Sequence, residues 1–97
     1  MVQAVIHGDI IAESDRTVVV DRKHYFPVSD VRQEVLESSD HQTVCSWKGT
    51  AKYYHVKAGG EINKNAAWYY PNTSEKARKI EGMIAFSYIH GIDTIEY

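Results

Sequence analysis

The side chains best suited to chemistry concentrate in residues 39–56, SDHQTVCSWKGTAKYYHV. This stretch holds the only cysteine of the chain, one of its two tryptophans, two of its seven tyrosines and two of its five histidines. A Lys-Gly step, Lys48-Gly49, adds a cation beside a flexible backbone position. No other part of the chain combines reactive, cationic and aromatic groups at this density. We therefore expect a functional site to be built around it.

Strand periodicity predicts how these side chains are sorted. Residues 43–47 and 50–57 are typical of two strands, with Gly49 at a bend or bulge between them. Because side chains alternate along a strand, every second residue lies on the same face. Depending on the bend, one combined face can collect a thiol, an indole, a phenol and an imidazole. These four residues are Cys45, Trp47, Tyr53 and His55.

Cys45 admits two kinds of reactive site. As a nucleophile or redox thiol it would need His41 or His55 to lower its pKa. A free cysteine is more often a small buried apolar residue, and we favour that interpretation. A structural zinc site needs four ligands and usually a Cys-x-x-Cys pair, which this chain lacks. No metal site is expected.

A polar pocket is the third interpretation of the central stretch. Lys48 offers a cation where Gly49 lets a ligand approach the backbone closely. Aromatic walls with a few placed charges suit a nucleotide, a sugar or another small polar metabolite. Aromatic residues packed in a core, with solvated charges outside, explain the same pattern equally well. The residues that we expect to bind a ligand are Trp47, Tyr53, Trp68 and Tyr70, with Arg16 and Glu13 at the rim.

Whether such a pocket is catalytic stays open at this level. In an enzyme, Lys48 would act as an electrostatic clamp, and Glu13 or Cys45 as the proton-transfer or nucleophilic group. The Lys-Gly step is not a phosphate loop, because the glycines that precede a Walker lysine are missing. The alternative is a non-catalytic module that binds another protein through a Tyr/Trp surface. A concave cleft around Lys48 would favour the ligand, and a flat aromatic patch would favour the protein partner.

The composition narrows the choice of partners. The 97 residues suffice for one domain, residues 1–97, with an ordinary hydrophobic fraction of 43%. A net charge of −2 argues against nucleic acid and anionic membranes as partners. The single cysteine cannot form an internal disulfide, which favours a reducing compartment. No signal peptide or membrane span is evident. We expect a cytoplasmic monomer or weak homo-oligomer.

The elements that must position these residues are mostly strands. The pattern predicts seven or eight short strands and no β-α-β alternation, hence a mainly β fold with a compact antiparallel sheet or half-open barrel. Two short helices are expected at residues 29–36 and 73–80, the first capped by Asp30 with Gln33. Residues 37–42 and 58–65 have loop composition. The remaining strands are expected at residues 2–7, 10–13, 17–20, 24–26, 66–70, 83–88 and 92–97, with a hairpin turn at Gly8-Asp9.

Four runs of the chain carry a family resemblance. They are YFP at 25–27, SDHQTVCSWKGTAKYY at 39–54, AWYYP at 67–71 and IAF at 84–86. Together they resemble the DUF427 family, which also carries a nucleotidyltransferase-like label, and the Cys-x-Trp-Lys-Gly core is specific to it. The resemblance implies a single β-rich domain of the β-tent kind and no settled reaction. The chain has no paired acidic motif to hold the magnesium that nucleotidyl transfer normally needs.

Overall fold

The structure is a computed structural model that describes residues 1–97. Strands make up 58% of the chain and helical turns 15%, which confirms the mainly β, antiparallel prediction. The sheets do not close into a barrel. None of the helical segments is long or apolar enough to cross a membrane. The nine strands are β1 Val2–Ile6, β2 Asp9–Ser14, β3 Val18–Val20, β4 Lys23–Tyr25, β5 Leu36–Cys45, β6 Gly49–Ala58, β7 Glu61–Tyr69, β8 Ile84–Phe86 and β9 Asp93–Glu96.

The strands form three antiparallel sheets. The largest is a meander in the order β5-β6-β7-β8, and the other two have the orders β2-β1-β9 and β3-β4. The large sheet continues beyond β8, because Phe26 pairs with Ile84 through two backbone hydrogen bonds of 2.7 and 2.9 Å. Residues directly after β4 are thereby fixed against the edge of the large sheet. This contact brings the β3-β4 hairpin next to the central strands.

Two hairpins turn through pairs of residues with positive φ. His7 and Gly8 have φ values of +50° and +80°, and Asp21 and Arg22 have values of +52° and +66°. Positive φ at both central positions defines a type I′ turn, whose twist matches that of the flanking strands. The first hairpin was predicted, but its turn lies one residue earlier than expected, because Ile6 pairs directly with Asp9.

Several predicted boundaries were wrong. In place of the helix at 29–36 there are two short 3₁₀ turns, Val28–Asp30 and Gln33–Val35. Asp30 caps neither turn with its side chain, and instead accepts hydrogen bonds from Ser14 and Arg16. The second helix is a single 3₁₀ segment, Glu75–Ile80.

The two predicted loops belong largely to strands. Residues 37–42 lie in β5, and residues 61–65 lie in β7 after a tight turn at Gly59-Gly60. β5 forms one edge of the large sheet, and most of its residues are exposed. An exposed edge strand needs no apolar alternation, so its polar composition is indistinguishable from that of a loop.

The large sheet has a hydrophobic cluster on each face. Along β7, Ala67 belongs to a cluster of 14 buried residues with Phe26 and Phe86. The next residue, Trp68, packs against a second cluster of seven buried residues that includes Tyr25 and Tyr70. Neighbouring residues of a strand point to opposite faces, so the two clusters lie on opposite sides of the sheet. The second face carries the candidate site.

Candidate functional site in an aromatic cleft around Lys48

The β5-β6 turn at residues 46–48 is held from outside by a later segment. The Ser74 backbone N–H donates to the Lys48 carbonyl oxygen at 3.1 Å, and the Ser74 hydroxyl donates to the Trp47 carbonyl oxygen. These two bonds satisfy backbone acceptors that a tight turn would otherwise leave to water. They fix the backbone that bears the Trp47 and Lys48 side chains.

Gly49 is needed at this turn for a reason other than the one predicted. Its φ is +126°, and a Cβ atom added to it would lie 2.6 Å from the Asn72 carbonyl oxygen. Gly49 also forms an isolated β-bridge with Thr73. The backbone that approaches Gly49 closely is therefore the protein's own segment 72–73. The expectation that the glycine makes room for a ligand was wrong.

Lys48 is a buried cation with a fixed partner. Its side chain is 8% exposed, and its ammonium donates a hydrogen bond to the Asp21 carboxylate. The Nζ atom lies 4.7 Å from the Trp47 ring centroid and 6.0 Å from that of Tyr70. Burial alone would lower the Lys48 pKa, but the Asp21 hydrogen bond and nearby negative groups outweigh it, and the pKa is raised. Lys48 therefore stays protonated at neutral pH.

Phenol and indole rings form the wall beside Lys48. The Trp68 indole N–H donates to the Tyr25 hydroxyl oxygen at 3.2 Å. The Tyr53 and Trp68 ring centroids are 6.4 Å apart, and those of Tyr25 and Tyr70 are 6.5 Å apart. Burial raises the pKa of both Tyr25 and Tyr70, so both phenols keep their protons at neutral pH.

These groups border a cleft of about 700 Å³. That volume lies within the range of about 300–1,000 Å³ typical of small-molecule sites. Strand pairing explains the convergence, because Tyr53 pairs with Trp68 across β6 and β7. The predicted site residues that line the cleft together are Lys48, Tyr53, Trp68 and Tyr70.

The sequence pattern missed other lining residues. The missed residues that matter most to the cleft are Asp21, Lys23, Tyr25, Lys64 and Tyr88. Lys64 falls in the predicted loop 58–65, which is in fact largely part of β7. Spacing gives no signal for Asp21, because it lies 27 positions from its partner Lys48. Tyr25 was detectable only as part of the family-like YFP run.

The cleft is positively charged although the chain as a whole is acidic. Three lysines line it, Lys23, Lys48 and Lys64, against a single carboxylate, Asp21. The Lys23 ammonium lies 4.1 Å from the Tyr88 ring centroid, which holds the cation over an aromatic face. After Asp21 is matched with Lys48, two lysine charges are left. The arrangement suits a group with negative charge or acceptor oxygens.

Glu13 and Arg16 do not join this cleft. The Glu13 carboxylate accepts a hydrogen bond from Gln3 on the neighbouring strand. Arg16 pairs with Asp30 at 3.2 Å and donates to the Ser29 hydroxyl. Neither residue lines the cleft, so the expectation that they form its rim was wrong. The positive charge of Arg16 is instead paired with the Asp30 carboxylate.

Trp47 and Cys45 lie close to Lys48 but do not line the cleft. Trp47 is 40% exposed, and its ring centroid lies 4.7 Å from the Lys48 ammonium. Cys45 is half-buried at the edge of the second hydrophobic cluster. Burial raises the pKa of its thiol, but the backbone amides of Trp47 and Lys48 and the Lys48 charge lower it, and the net pKa is lowered.

Neither histidine of the central stretch activates Cys45. The Nδ1 atom of His55 accepts a hydrogen bond from the Asn65 backbone N–H at 3.0 Å. The His41 ring packs against Tyr53 with centroids 4.7 Å apart. The combined face expected for Cys45, Trp47, Tyr53 and His55 thus does not form. The turn carries Trp47 away from the line of β5, and a bulge between Tyr54 and Val56 alters the register at His55.

Fold and site define a small, mainly β domain with an aromatic cleft around a buried lysine. A family model described as a domain of unknown function, DUF427, matches residues 1–96. The chain therefore belongs to the DUF427 family, as the four sequence runs indicated. No curated protein matches the chain.

Proposed function

We propose that this domain binds a small polar ligand with a planar part in the cleft around Lys48. The observation that carries the proposal is a buried, fixed ammonium in an open recess that is also lined by five Tyr and Trp rings, those of Tyr25, Tyr53, Trp68, Tyr70 and Tyr88. Flat rings such as Trp68 and Tyr53 suit stacking against a base or a sugar face, and the polar groups would set its orientation. Nucleotides, sugars and similar metabolites are the candidate classes.

Catalysis would depend on Lys48 in this arrangement. Of the three predicted catalytic residues, only Lys48 lines the cleft; Glu13 and Cys45 do not. A reaction would therefore use the ammonium to stabilise developing negative charge on a bound ligand. A reducing compartment such as the cytoplasm, and a monomer or weak homo-oligomer, stay predictions from the sequence.

A protein partner is the second candidate, and one observation favours it. Tyr88 and Ile89 at the cleft rim are 66% and 78% exposed. Exposed aromatic and aliphatic side chains are common anchors of protein interfaces. The concave shape of the recess and the burial of Lys48 favour the small ligand over a flat partner surface.

A thermal-shift screen with one matched pair of variants tests the proposal. A ligand at about 100 times its Kd stabilises the native state by about 2.7 kcal/mol. For a domain of this size, that corresponds to a Tm increase of about 10 °C or more. Lys48→Met should lose the shift. Lys52→Met is the matched control. It removes a lysine charge from an exposed position on the face of β6 that points away from the cleft, and it should keep the shift.

Two results would contradict the proposal. Equal stabilisation of the wild type and the Lys48→Met variant would exclude Lys48 from the binding site. Failure of nucleotides, sugars and small aromatic acids to stabilise the wild type at millimolar concentration would favour the protein partner.

A further inference from the structure

The inner part of the cleft presents hydrogen-bond donors. The Tyr25 hydroxyl oxygen accepts the hydrogen bond of Trp68, so its own O–H hydrogen is left to donate. Tyr25 is only 2% exposed, and it lines the cleft. A buried hydroxyl that already accepts a bond will find its second partner most readily in a ligand acceptor.

Lys48 and Tyr70 add donors on the same side. The Lys48 ammonium carries three hydrogens, and one of them is directed to Asp21. Tyr70 is 7% exposed and lines the cleft, and none of the protein's side-chain hydrogen bonds uses its hydroxyl. The charge of the one carboxylate at hand, Asp21, is balanced by that of Lys48. The inner cleft therefore offers several donors and no net negative charge.

Two further lysines add positive charge and hydrogen-bond donors at the rim of the cleft. Lys23 and Lys64 line the cleft, and neither forms an ion pair with a carboxylate. His41 and His90 also line it. A recess with a net positive charge and low-dielectric aromatic walls concentrates anions. Because the chain as a whole has a net charge of −2, this attraction of anions is confined to the cleft.

We infer that the ligand is an oxyanion, a carboxylate or phosphate carried on a flat ring. Its oxygens accept from the Tyr25 hydroxyl and the Lys48 ammonium, its ring lies against Trp68, and Lys23 and Lys64 supply the remaining countercharge. The inference rests on the proposed function, because it names the chemical class of ligand for the same cleft. A neutral sugar or nucleoside would leave the two rim lysines without a partner.

Calorimetry with matched probes tests this inference. The probe pairs are adenosine 5′-monophosphate with adenosine, and benzoate with benzamide; inorganic phosphate tests the charge alone. In at least one pair, the anion should bind about tenfold more tightly than its neutral partner, and added NaCl should weaken it. The pair that discriminates identifies phosphate or carboxylate as the recognised group.

Variants then locate the recognised group. Tyr25→Phe removes one hydroxyl and should weaken the anion about tenfold, because the lost hydrogen bond is to a charged acceptor. Lys23→Gln and Lys64→Gln, at less buried positions, should each cost about two- to fivefold. Lys79→Gln, an exposed lysine outside the cleft, is the matched control and should change nothing beyond the general salt effect. The NMR signal of the Trp68 indole N–H should shift on titration.

The outcomes separate this inference from the proposed function. If adenosine and benzamide bind as tightly as their anions and shift the Trp68 signal, the cleft binds ligands but the oxyanion inference fails. If an anion binds without shifting Trp68 and Lys79→Gln weakens it as much as Lys64→Gln does, the binding is diffuse and the inference also fails. If no probe shifts Trp68 at millimolar concentration, both the inference and the proposed function are contradicted for these ligand classes.

Discussion

The Asp21–Lys48 pair should respond asymmetrically to the loss of either partner. The Lys48 side chain is 8% exposed, whereas that of Asp21 is 60% exposed. Lys48→Met removes the buried charge, keeps an unbranched chain against the Trp47 and Tyr70 rings, and leaves a carboxylate that water can solvate. Asp21→Asn leaves the ammonium buried without its countercharge. The second change should therefore be the more destabilising one.

The expected losses of unfolding free energy follow from the exposures of the two side chains. Breaking a fully buried ion pair by removing one partner costs about 3–5 kcal/mol. Asp21→Asn should cost less, about 1–3 kcal/mol, because Asp21 faces solvent and asparagine keeps an oxygen that accepts from Lys48. Lys48→Met should stay within about 1 kcal/mol of the wild type. Asp21 has a φ of +52°, which asparagine tolerates well, so backbone strain should not inflate its cost.

Urea unfolding followed by tryptophan fluorescence measures these differences. The three variants should share the wild-type m-value, so that a change in midpoint reports stability. The double variant Asp21→Asn/Lys48→Met should return to the stability of Lys48→Met alone, because the neutral side chain no longer needs a countercharge. Asp40→Asn, at an exposed carboxylate outside all ion pairs, controls for the charge change. A larger loss for Lys48→Met than for Asp21→Asn, or simple additivity in the double variant, would refute the reasoning.

Two further predictions concern residues on either side of the β5-β6 turn, Gly49 and Cys45. Gly49→Ala should cost about 2 kcal/mol or more in urea unfolding, because the residue has a φ of +126° and the new Cβ would lie 2.6 Å from the Asn72 oxygen. Gly60→Ala, at a φ of +76° with open space around it, is the control and should cost only about 1 kcal/mol. Cys45 in the native protein should react with iodoacetamide with a pH midpoint below that of an ordinary cysteine, and Lys48→Met should raise that midpoint by removing the nearby positive charge. A thiol that reacts only after unfolding would contradict the latter prediction.

The fold class could be read from the sequence because short apolar runs between turn residues are sufficient for it. The β-branched run at 17–20 and the apolar runs around residue 8 gave strands and hairpins that the structure contains. The strand at 37–42 could not be predicted, since it pairs with β6 through Glu37, Ser38 and Gln42 while most of its side chains face water. Edge strands depend on a neighbour rather than on their own composition.

The candidate site could be predicted only where strand pairing is local. Tyr53 and Trp68, both expected as walls of the pocket, lie on consecutive strands of one hairpin, and the register pairs them directly. Asp21 and Lys48 are 27 positions apart, and Tyr25 and Trp68 are 43 apart. Contacts at such separations depend on how the β3-β4 hairpin packs on the large sheet, which no spacing rule supplies.

The small stability change expected for Lys48→Met bears on why a cation occupies this position. A buried ion pair is weak support for folding, since an apolar chain of similar length can fill the same space at little cost. Lys48 packs against Trp47 and Tyr70, contacts that a methionine side chain would largely keep. Folding alone therefore does not require the ammonium. Its two remaining N–H groups border the open recess, where the proposed ligand would supply acceptors for them.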